Sequence, residues 1–254
     1  MKYEFYRTDS KGYQLQVLQT IPGKGDRFPT VVMVPGFGMD LHENGYFDQM
    51  SSILVKNGYQ TVRFSFSGTG TSGGHFRQTT VDRQAQELRD IISFAAHDRF
   101  TNTEHIALVA HGFGAISTIV SLLLPEIKTF VFTGTLVHPQ DSLAKWYRRQ
   151  RGFDPKGISE REGIENKKVA VEPEFWRSLS RHTLKGRIKS LDQSILFIHG
   201  GRDQRSKAFE AEELYEAVSV KKRFHMIEKA DHAFTGDFRP VVFDLIVDWL
   251  SETV

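Results

Sequence analysis

The stretch LVAHGFGA, residues 108–115, joins an apolar run to a row of small residues. The run belongs to a segment, 105–111, with no regular polar alternation, which is typical of a strand buried on both faces of a sheet. Gly112 and Gly114 then favour a sharp turn, and the apolar residues after them predict a helix over 113–124. A buried strand that turns directly into a helix is typical of an α/β fold.

The same alternation of strand and helix runs along the chain. Two alternating segments, 3–8 and 13–21, flank DSKG and predict an opening antiparallel hairpin. Further strands are predicted at 30–37, 60–66, 105–111, 129–135, 194–200 and 223–230. Amphipathic helices are predicted over 80–97, 113–124, 206–218 and 238–252. This order predicts an α/β fold with a mostly parallel central sheet flanked by helices.

Residues 138–190 interrupt the alternation. They contain no convincing strand, and an insertion of this length between two strands is more often a functional lid than a bare connector. We therefore predict a core formed by residues 1–137 and 191–254, with a helical lid or cap at 138–190. The alternative is a set of extra surface helices without a role.

Composition excludes several classes of protein. The chain has 254 residues, of which 39% are hydrophobic and 25% charged, as in one large soluble domain. It has no cysteine, so disulfides and thiolate chemistry are excluded, and its net charge of +2 gives no argument for nucleic acid. The N-terminus lacks the apolar core of a signal peptide, and no apolar stretch approaches the roughly 20 residues that span a bilayer. We expect a cytoplasmic protein.

Candidate functional residues follow the predicted strands, at the edge of an α/β sheet where ligands bind. PGFGM and SGTGTSGGHF follow two strands, HGFGA follows a third, and GRDQ and DHAF follow two more. Each segment alone is a weak signal, because Asp203 could simply cap a helix and His232 could be an ordinary surface histidine. The order and spacing of the whole set carry the argument.

In these segments the sequence resembles the α/β-hydrolase family over nearly its whole length. VVMVPGFG is similar to the family's oxyanion strand and loop, and FSFSGTGTSGGHF to a loop of cinnamoyl and feruloyl esterase-like members. LVAHGFGA lies where the nucleophile elbow belongs, LFIHGGRDQ resembles the acid loop, and EKADHAF resembles the histidine loop. The family's chain order of nucleophile, acid and histidine then falls on Gly112, Asp203 and His232.

The resemblance also implies an oxyanion hole. Its donors would be the backbone N–H groups of Phe37, in the loop after the first buried strand, and of Phe113, after the elbow. The family commonly has histidine where this chain has Pro35, a difference that leaves the N–H of Phe37 in place. The resemblance implies a carboxylic-ester hydrolase of the serine esterase type, acting on short or aromatic acyl esters, with no cofactor and no metal.

Glycine at position 112 removes the hydroxyl that would attack the ester. Glycine adopts the positive φ of such a turn without a Cβ penalty, so the fold is predicted to be intact and covalent catalysis to be lost. A natural pseudo-hydrolase that binds a small molecule and a deliberately inactivated esterase both fit this change. The retained Asp203 and His232 favour a recent or engineered loss. A non-covalent hydrolase or lyase, with His232 as general base, is a further alternative.

The predicted partner is a small-molecule ester or acyl compound. The insertion carries thirteen Lys or Arg against seven Asp or Glu, which suits a mouth for an aromatic or acyl group with a negative charge. Its aromatic residues include Trp146, Tyr147, Phe153, Phe175 and Trp176. A solvated helical face with core-facing aromatics would give the same pattern. No nucleic acid or membrane partner is expected, and a homodimer is compatible with the sequence.

Overall fold

The computed structural model describes residues 1–23, 25–121, 124–163 and 168–254. The strands are β1 (Lys2–Ser10), β2 (Tyr13–Ile21), β3 (Phe28–Val34), β4 (Gln60–Phe64), β5 (Thr101–His111), β6 (Ile127–Thr133), β7 (Ser159–Glu162), β8 (Lys168–Val171), β9 (Ser194–Gly200) and β10 (Lys222–Ile227). The helices are α1 (Tyr46–Lys56), α2 (Val81–His97), α3 (Phe113–Ser121), α4 (Pro139–Arg148), α5 (Pro173–Ser180), α6 (Leu184–Arg187), α7 (Ala208–Ala217) and α8 (Phe238–Thr253).

The central sheet has the strand order β1-β2-β4-β3-β5-β6-β9-β10. β1 pairs antiparallel with β2 and β2 with β4, whereas the neighbours from β4 to β10 are parallel. The predicted opening hairpin and mostly parallel sheet are therefore confirmed. Because parallel strands all end at the same edge, the loops that follow β3, β5, β6, β9 and β10 meet there.

Helices cover both faces of this sheet, which explains why its strands read as continuous apolar runs. Along β5, Leu108 packs into a cluster with Leu88 of α2 and Ile116 of α3. The next residue, Val109, points to the opposite face and packs with Trp249 of α8. In the described parts of the chain, no helix combines the length and apolar character that a bilayer crossing requires.

The insertion at 138–190 is not all-helical. It contains α4, α5 and α6, and between them the antiparallel hairpin of β7 and β8, in which Ser159 lies opposite Val171. The expectation that this stretch holds no strand is wrong. Its strands are short, and SERE consists mainly of charged residues, so they show no apolar alternation. Residues 164–167, between the two strands, lie outside the described residues.

Helix α1 has no counterpart among the predicted elements. Its sequence, YFDQMSSILVK, contains adjacent serines and two β-branched residues, which are weak helix formers. The helix is stabilised instead by tertiary burial of Phe47, Met50 and Leu54 against the sheet. The helix predicted over 113–124 is described as far as Ser121, and residues 122–123 lie outside the described residues.

Candidate active site

Gly112 occupies the turn between strand β5 and helix α3. Its φ of +52° lies in the left-handed region, which glycine adopts readily and which strains a residue with a Cβ. The Gly112 N–H donates to the carbonyl of Thr133 at 2.9 Å, and the Gly112 carbonyl accepts from the N–H of Ala115 at 3.2 Å. The turn is thereby anchored to strand β6 on one side and to its own helix on the other.

Gly114 sets how closely helix α3 approaches strand β3. A Cβ on Gly114 would lie 2.5 Å from the carbonyl oxygen of Val34 and 2.7 Å from that of Pro35. Only glycine permits this approach. It brings Phe113 beside the loop after β3, where the ring of Phe37 lies 5.3 Å from the ring of Phe113, centroid to centroid.

Asp203 and His232, which are far apart in sequence, are hydrogen-bonded. The Nδ1 of His232 lies 2.6 Å from Oδ2 of Asp203. Asp203 also accepts from the N–H groups of Arg205 at 2.7 Å and Ser206 at 3.0 Å, and from the Ser206 hydroxyl at 2.8 Å. The same carboxylate therefore both orders the turn before α7 and holds the histidine ring. Asp203 can thus cap the turn before the helix and also serve as the acid partner of His232.

The environment of Asp203 keeps its carboxyl ionised. Burial alone would raise the pKa of Asp203, but the hydrogen bond from His232, the charge of that ring and the hydrogen bonds from Ser206 hold the pKa well below its usual value. A buried carboxylate with this many donors fixes the orientation of its histidine partner.

The second ring nitrogen of His232 faces position 112. A Cβ on Gly112 would lie 3.1 Å from Nε2 of His232. On the other side of the ring, a Cβ on Gly134 would lie 3.1 Å from both Cε1 and Nδ1. Gly134 has a φ of +60°, so this position too favours glycine. The imidazole is thus held between two glycine turns, with Nε2 directed at the residue that carries no side chain.

A second histidine, His111, lies directly before Gly112 and packs against His232, with 4.6 Å between ring centroids. Its Nδ1 is 2.9 Å from the hydroxyl oxygen of Thr133. Burial, together with the nearby charge of His232, lowers the pKa of His111 well below its usual value. His111 is therefore neutral at neutral pH and supports the His232 ring without competing for its proton.

The predicted oxyanion donors lie at the same place. Phe37 and Phe113 line one cavity together with Gly36, Gly112 and His232. Neither the Phe37 nor the Phe113 N–H donates a hydrogen bond to any residue that the structure describes. Two unpaired N–H groups beside a cavity are available to a ligand oxygen.

Glu43 is a site residue that the sequence analysis does not identify. It lines the cavity, is 7% exposed, and its Oε2 accepts from the N–H of Gly36 at 2.7 Å. Burial raises the pKa of Glu43 to about 8, a rise that the Gly36 hydrogen bond and the charge of Arg205 oppose only in part. Glu43 and Asn44 both have positive φ, of 46° and 51°. The sequence ENG signals a turn, but not the burial of this carboxyl.

The cavity has a volume of about 290 Å³. Apart from the residues above, most of its wall comes from helix α4 and the residue after it, from the loop between β9 and α7, and from the start of α7. Trp146 of α4 lies on this wall, 6.2 Å from the ring of Phe37. Phe175 of α5 packs against the rings of Phe37 and Phe113, with centroid distances of 5.2 Å and 5.9 Å. Tyr147 and Trp176 are buried in the core.

Comparison with known proteins gives no sequence-level match. No family model matches the chain, and no curated protein sequence matches it. Solved structures do match. Est1E from Butyrivibrio proteoclasticus, solved with ferulic acid bound, is 16% identical, with 98% of each chain covered and a TM-score of 0.83. GrgF, an α/β hydrolase from Penicillium sp. sh18, is 14% identical over 100% of this chain and 99% of that chain, with a TM-score of 0.81.

The chain has the α/β-hydrolase fold. A third structure, the esterase Pf2001 from Pyrococcus furiosus, is 19% identical over 99% of this chain and 91% of that chain, with a TM-score of 0.76. At these identities the likeness is one of fold, and many functions share this fold. The residues of the cavity therefore decide the chemistry of this chain.

Proposed function

We propose that the cavity is the site of a carboxylic-ester hydrolase of the serine type in which glycine occupies the nucleophile position. The observation that carries the proposal is the direction of His232. Its Nδ1 is held by Asp203 at 2.6 Å, while its Nε2 lies 3.1 Å from where a Cβ at position 112 would be. A structural Asp–His pair has no need to direct its free nitrogen at the centre of a strained strand-to-helix turn.

With serine at position 112, each residue has a defined role. The hydroxyl oxygen attacks the ester carbonyl carbon, and its proton moves to Nε2 of His232. The N–H groups of Phe37 and Phe113 donate to the oxyanion that forms. The imidazolium, stabilised by Asp203, then protonates the leaving alcohol, and a water molecule releases the acyl group by the same steps.

A second candidate function concerns the chain with Gly112. Among the described residues, apart from the two chain neighbours of Gly112, only His232 lies within 4 Å of a Cβ built on Gly112. A water molecule bound at this position would lose a proton to Nε2 of His232 while its oxygen attacks the ester. This non-covalent route keeps the same base and the same oxyanion donors. A third candidate function, a protein that binds a small molecule without converting it, uses the same cavity. We propose short or aromatic acyl esters as ligands for all three.

We further propose that the insertion, residues 138–190, acts as the lid of this site. Its helix α4 contributes Leu143, Lys145 and Trp146 to the cavity wall. Phe175 of α5 packs against Phe37. Removing the Trp146 ring should change which esters are accepted, because this side chain bounds the space beside the proposed oxyanion loop.

The test is ester turnover by Gly112→Ser. Against p-nitrophenyl acetate and butyrate, the variant should be faster than the unsubstituted chain by a large factor, since removing the nucleophile from such a triad costs on the order of 10⁶-fold in turnover. Gly112→Ala is the matched control, because it adds the same Cβ without a hydroxyl. Adding His232→Ala to Gly112→Ser should remove most of the gain.

The outcomes separate the candidates. Turnover that appears only with Gly112→Ser supports the serine-type site. Turnover by the unsubstituted chain that is lost in His232→Ala supports the water route. A folded Gly112→Ser variant that cleaves neither ester, although the esters bind, contradicts the hydrolase proposal and favours the binding protein.

A further inference from the structure

The cavity mouth carries an unusual group of cationic side chains. Lys145 comes from helix α4 and Arg149 directly follows that helix, whereas Arg205 and Lys207 come from the loop between β9 and α7. None of these four side chains takes part in an ion pair between residues that the structure describes. These charges converge from two separate elements on one opening.

Of the three acidic residues of the same cavity, two do not neutralise this group, which leaves four cationic side chains facing one exposed carboxylate. The carboxylate of Glu210 is buried and accepts from the N–H groups of Val137 and His138, both at 3.1 Å. It is therefore used to fix the start of the insertion. Glu43 is largely protonated at neutral pH, because burial raises its pKa to about 8. Asp141 is the remaining acidic residue of the lining, and it is exposed.

Apart from His232, Ser142 and Gln204, the rest of the lining is apolar. Phe37, Trp146 and Leu143 lie on the wall, and Phe209, which is 56% exposed, stands at the edge beside the cationic loop. An exposed aromatic ring and unpaired cations at one mouth suit a ligand with an apolar body and an anionic end. A simple neutral ester would leave the cations without a partner.

We propose that the ligand of this cavity carries a carboxylate in addition to its ester group, and that Arg205 and Arg149 bind that carboxylate. This inference rests on the proposed function, since it assumes that an ester occupies the space beside His232. The carboxylate would then lie at the mouth, and the apolar body would lie between it and the ester, against Phe37 and Trp146.

The experiment measures binding to the unsubstituted chain by isothermal titration calorimetry. Two matched pairs of esters are used: monomethyl terephthalate with methyl para-toluate, and monomethyl adipate with methyl hexanoate. Within each pair, a carboxylate replaces a methyl group and the methyl ester is kept. For at least one pair, the carboxylate member should bind about tenfold more tightly at low salt, the effect of one charge-assisted hydrogen bond. The preference should shrink as salt is raised.

Variants assign the effect to residues. Arg205→Gln and Arg149→Gln should weaken binding of the carboxylate member severalfold and so reduce its preference over the neutral member. Arg202→Gln is the control, because Arg202 is exposed on the same loop, carries the same charge and does not line the cavity. The effect of salt on the carboxylate preference is measured on the unsubstituted chain, so it tests the inference even if a variant folds poorly.

Each result has one meaning. A carboxylate preference that disappears in Arg205→Gln or Arg149→Gln and persists in Arg202→Gln supports the inference. Equal binding within both pairs, or a preference that neither variant reduces, overturns the inference and leaves the proposed function standing. Failure of all four esters to bind overturns the proposed function itself.

Discussion

Replacing Asp203 with asparagine tests whether the Asp203–His232 pair is as strongly coupled as its geometry indicates. Asparagine keeps one oxygen, which can still accept from the N–H groups of Arg205 and Ser206. Its NH₂ group then lies where Oδ2 now accepts from His232 at 2.6 Å and from the Ser206 hydroxyl at 2.8 Å. Both of these hydrogen bonds to a charged acceptor are lost, and His232 must take its other tautomer to meet the new donor.

The expected loss of stability is on the order of 3 kcal/mol at neutral pH. Hydrogen bonds to a buried charge contribute roughly 1.5–3 kcal/mol each, and two that share one carboxylate do not add fully. The loss should depend on pH. Because folding holds the pKa of Asp203 below its ordinary 3.8, its stabilising effect is complete above that value and is lost as the pH falls through and below it. The difference between the two proteins should therefore shrink in acid.

The assay is urea unfolding followed by tryptophan fluorescence, at about pH 7 and about pH 3. Asp192→Asn is the control, since Asp192 is exposed and the substitution removes the same charge. Equal stability of Asp203→Asn and the unsubstituted chain at neutral pH would refute the coupling. A loss of the same size at both pH values would show that the carboxylate charge is not its source.

Further predictions concern the glycines, Glu43 and the insertion. Gly114→Ala should destabilise the fold by more than about 2 kcal/mol, because its Cβ would lie 2.5 Å from a backbone oxygen of Val34. Gly112→Ala should cost about 1 kcal/mol, because position 112 has a positive φ, and urea unfolding of the two variants compares these losses. As the pH rises from 4.5 towards about 8, Glu43→Gln should gain stability relative to the unsubstituted chain, because in that range the Glu43 carboxyl ionises only in the unfolded state. A stability difference that does not depend on pH would contradict the raised pKa of Glu43. In a Gly112→Ser background, Trp146→Ala should change the ratio of kcat/KM for butyrate and acetate esters, and an unchanged ratio in a variant that still folds would argue against the lid.

The parallel sheet could be predicted from the sequence because its strands are buried on both faces. Residues 106–110 and 195–198 are all apolar, a pattern typical of strands covered by helices on both sides. The same argument fails for β7 and β8. These strands are short and β7 is mostly charged, so they leave no periodic signal. The sequence pattern does not predict helix α1 either, because this helix is stabilised by burial in the tertiary structure.

The sequence likewise predicts some residues of the candidate site and not others. Gly112, Asp203 and His232 each follow a predicted strand, so sheet topology brings them together once their order is known. Glu43 follows no strand directly and acts through burial and one hydrogen bond to Gly36. Burial of a single carboxyl is a property of the packed cavity, and no local sequence pattern records it.

The most direct test of the central claim, that position 112 is the nucleophile position of an ester hydrolase, is intact-mass measurement after treatment with a fluorophosphonate. Such a reagent reacts with a serine hydroxyl only where a neighbouring base and oxyanion donors activate it. The account predicts one added phosphonyl group on Gly112→Ser, located by peptide mapping at the introduced serine. It predicts no label on the unsubstituted chain, on Gly112→Ala, or on Gly112→Ser combined with His232→Ala. A folded Gly112→Ser protein that remains unlabelled, or one that is labelled equally without His232, would contradict it.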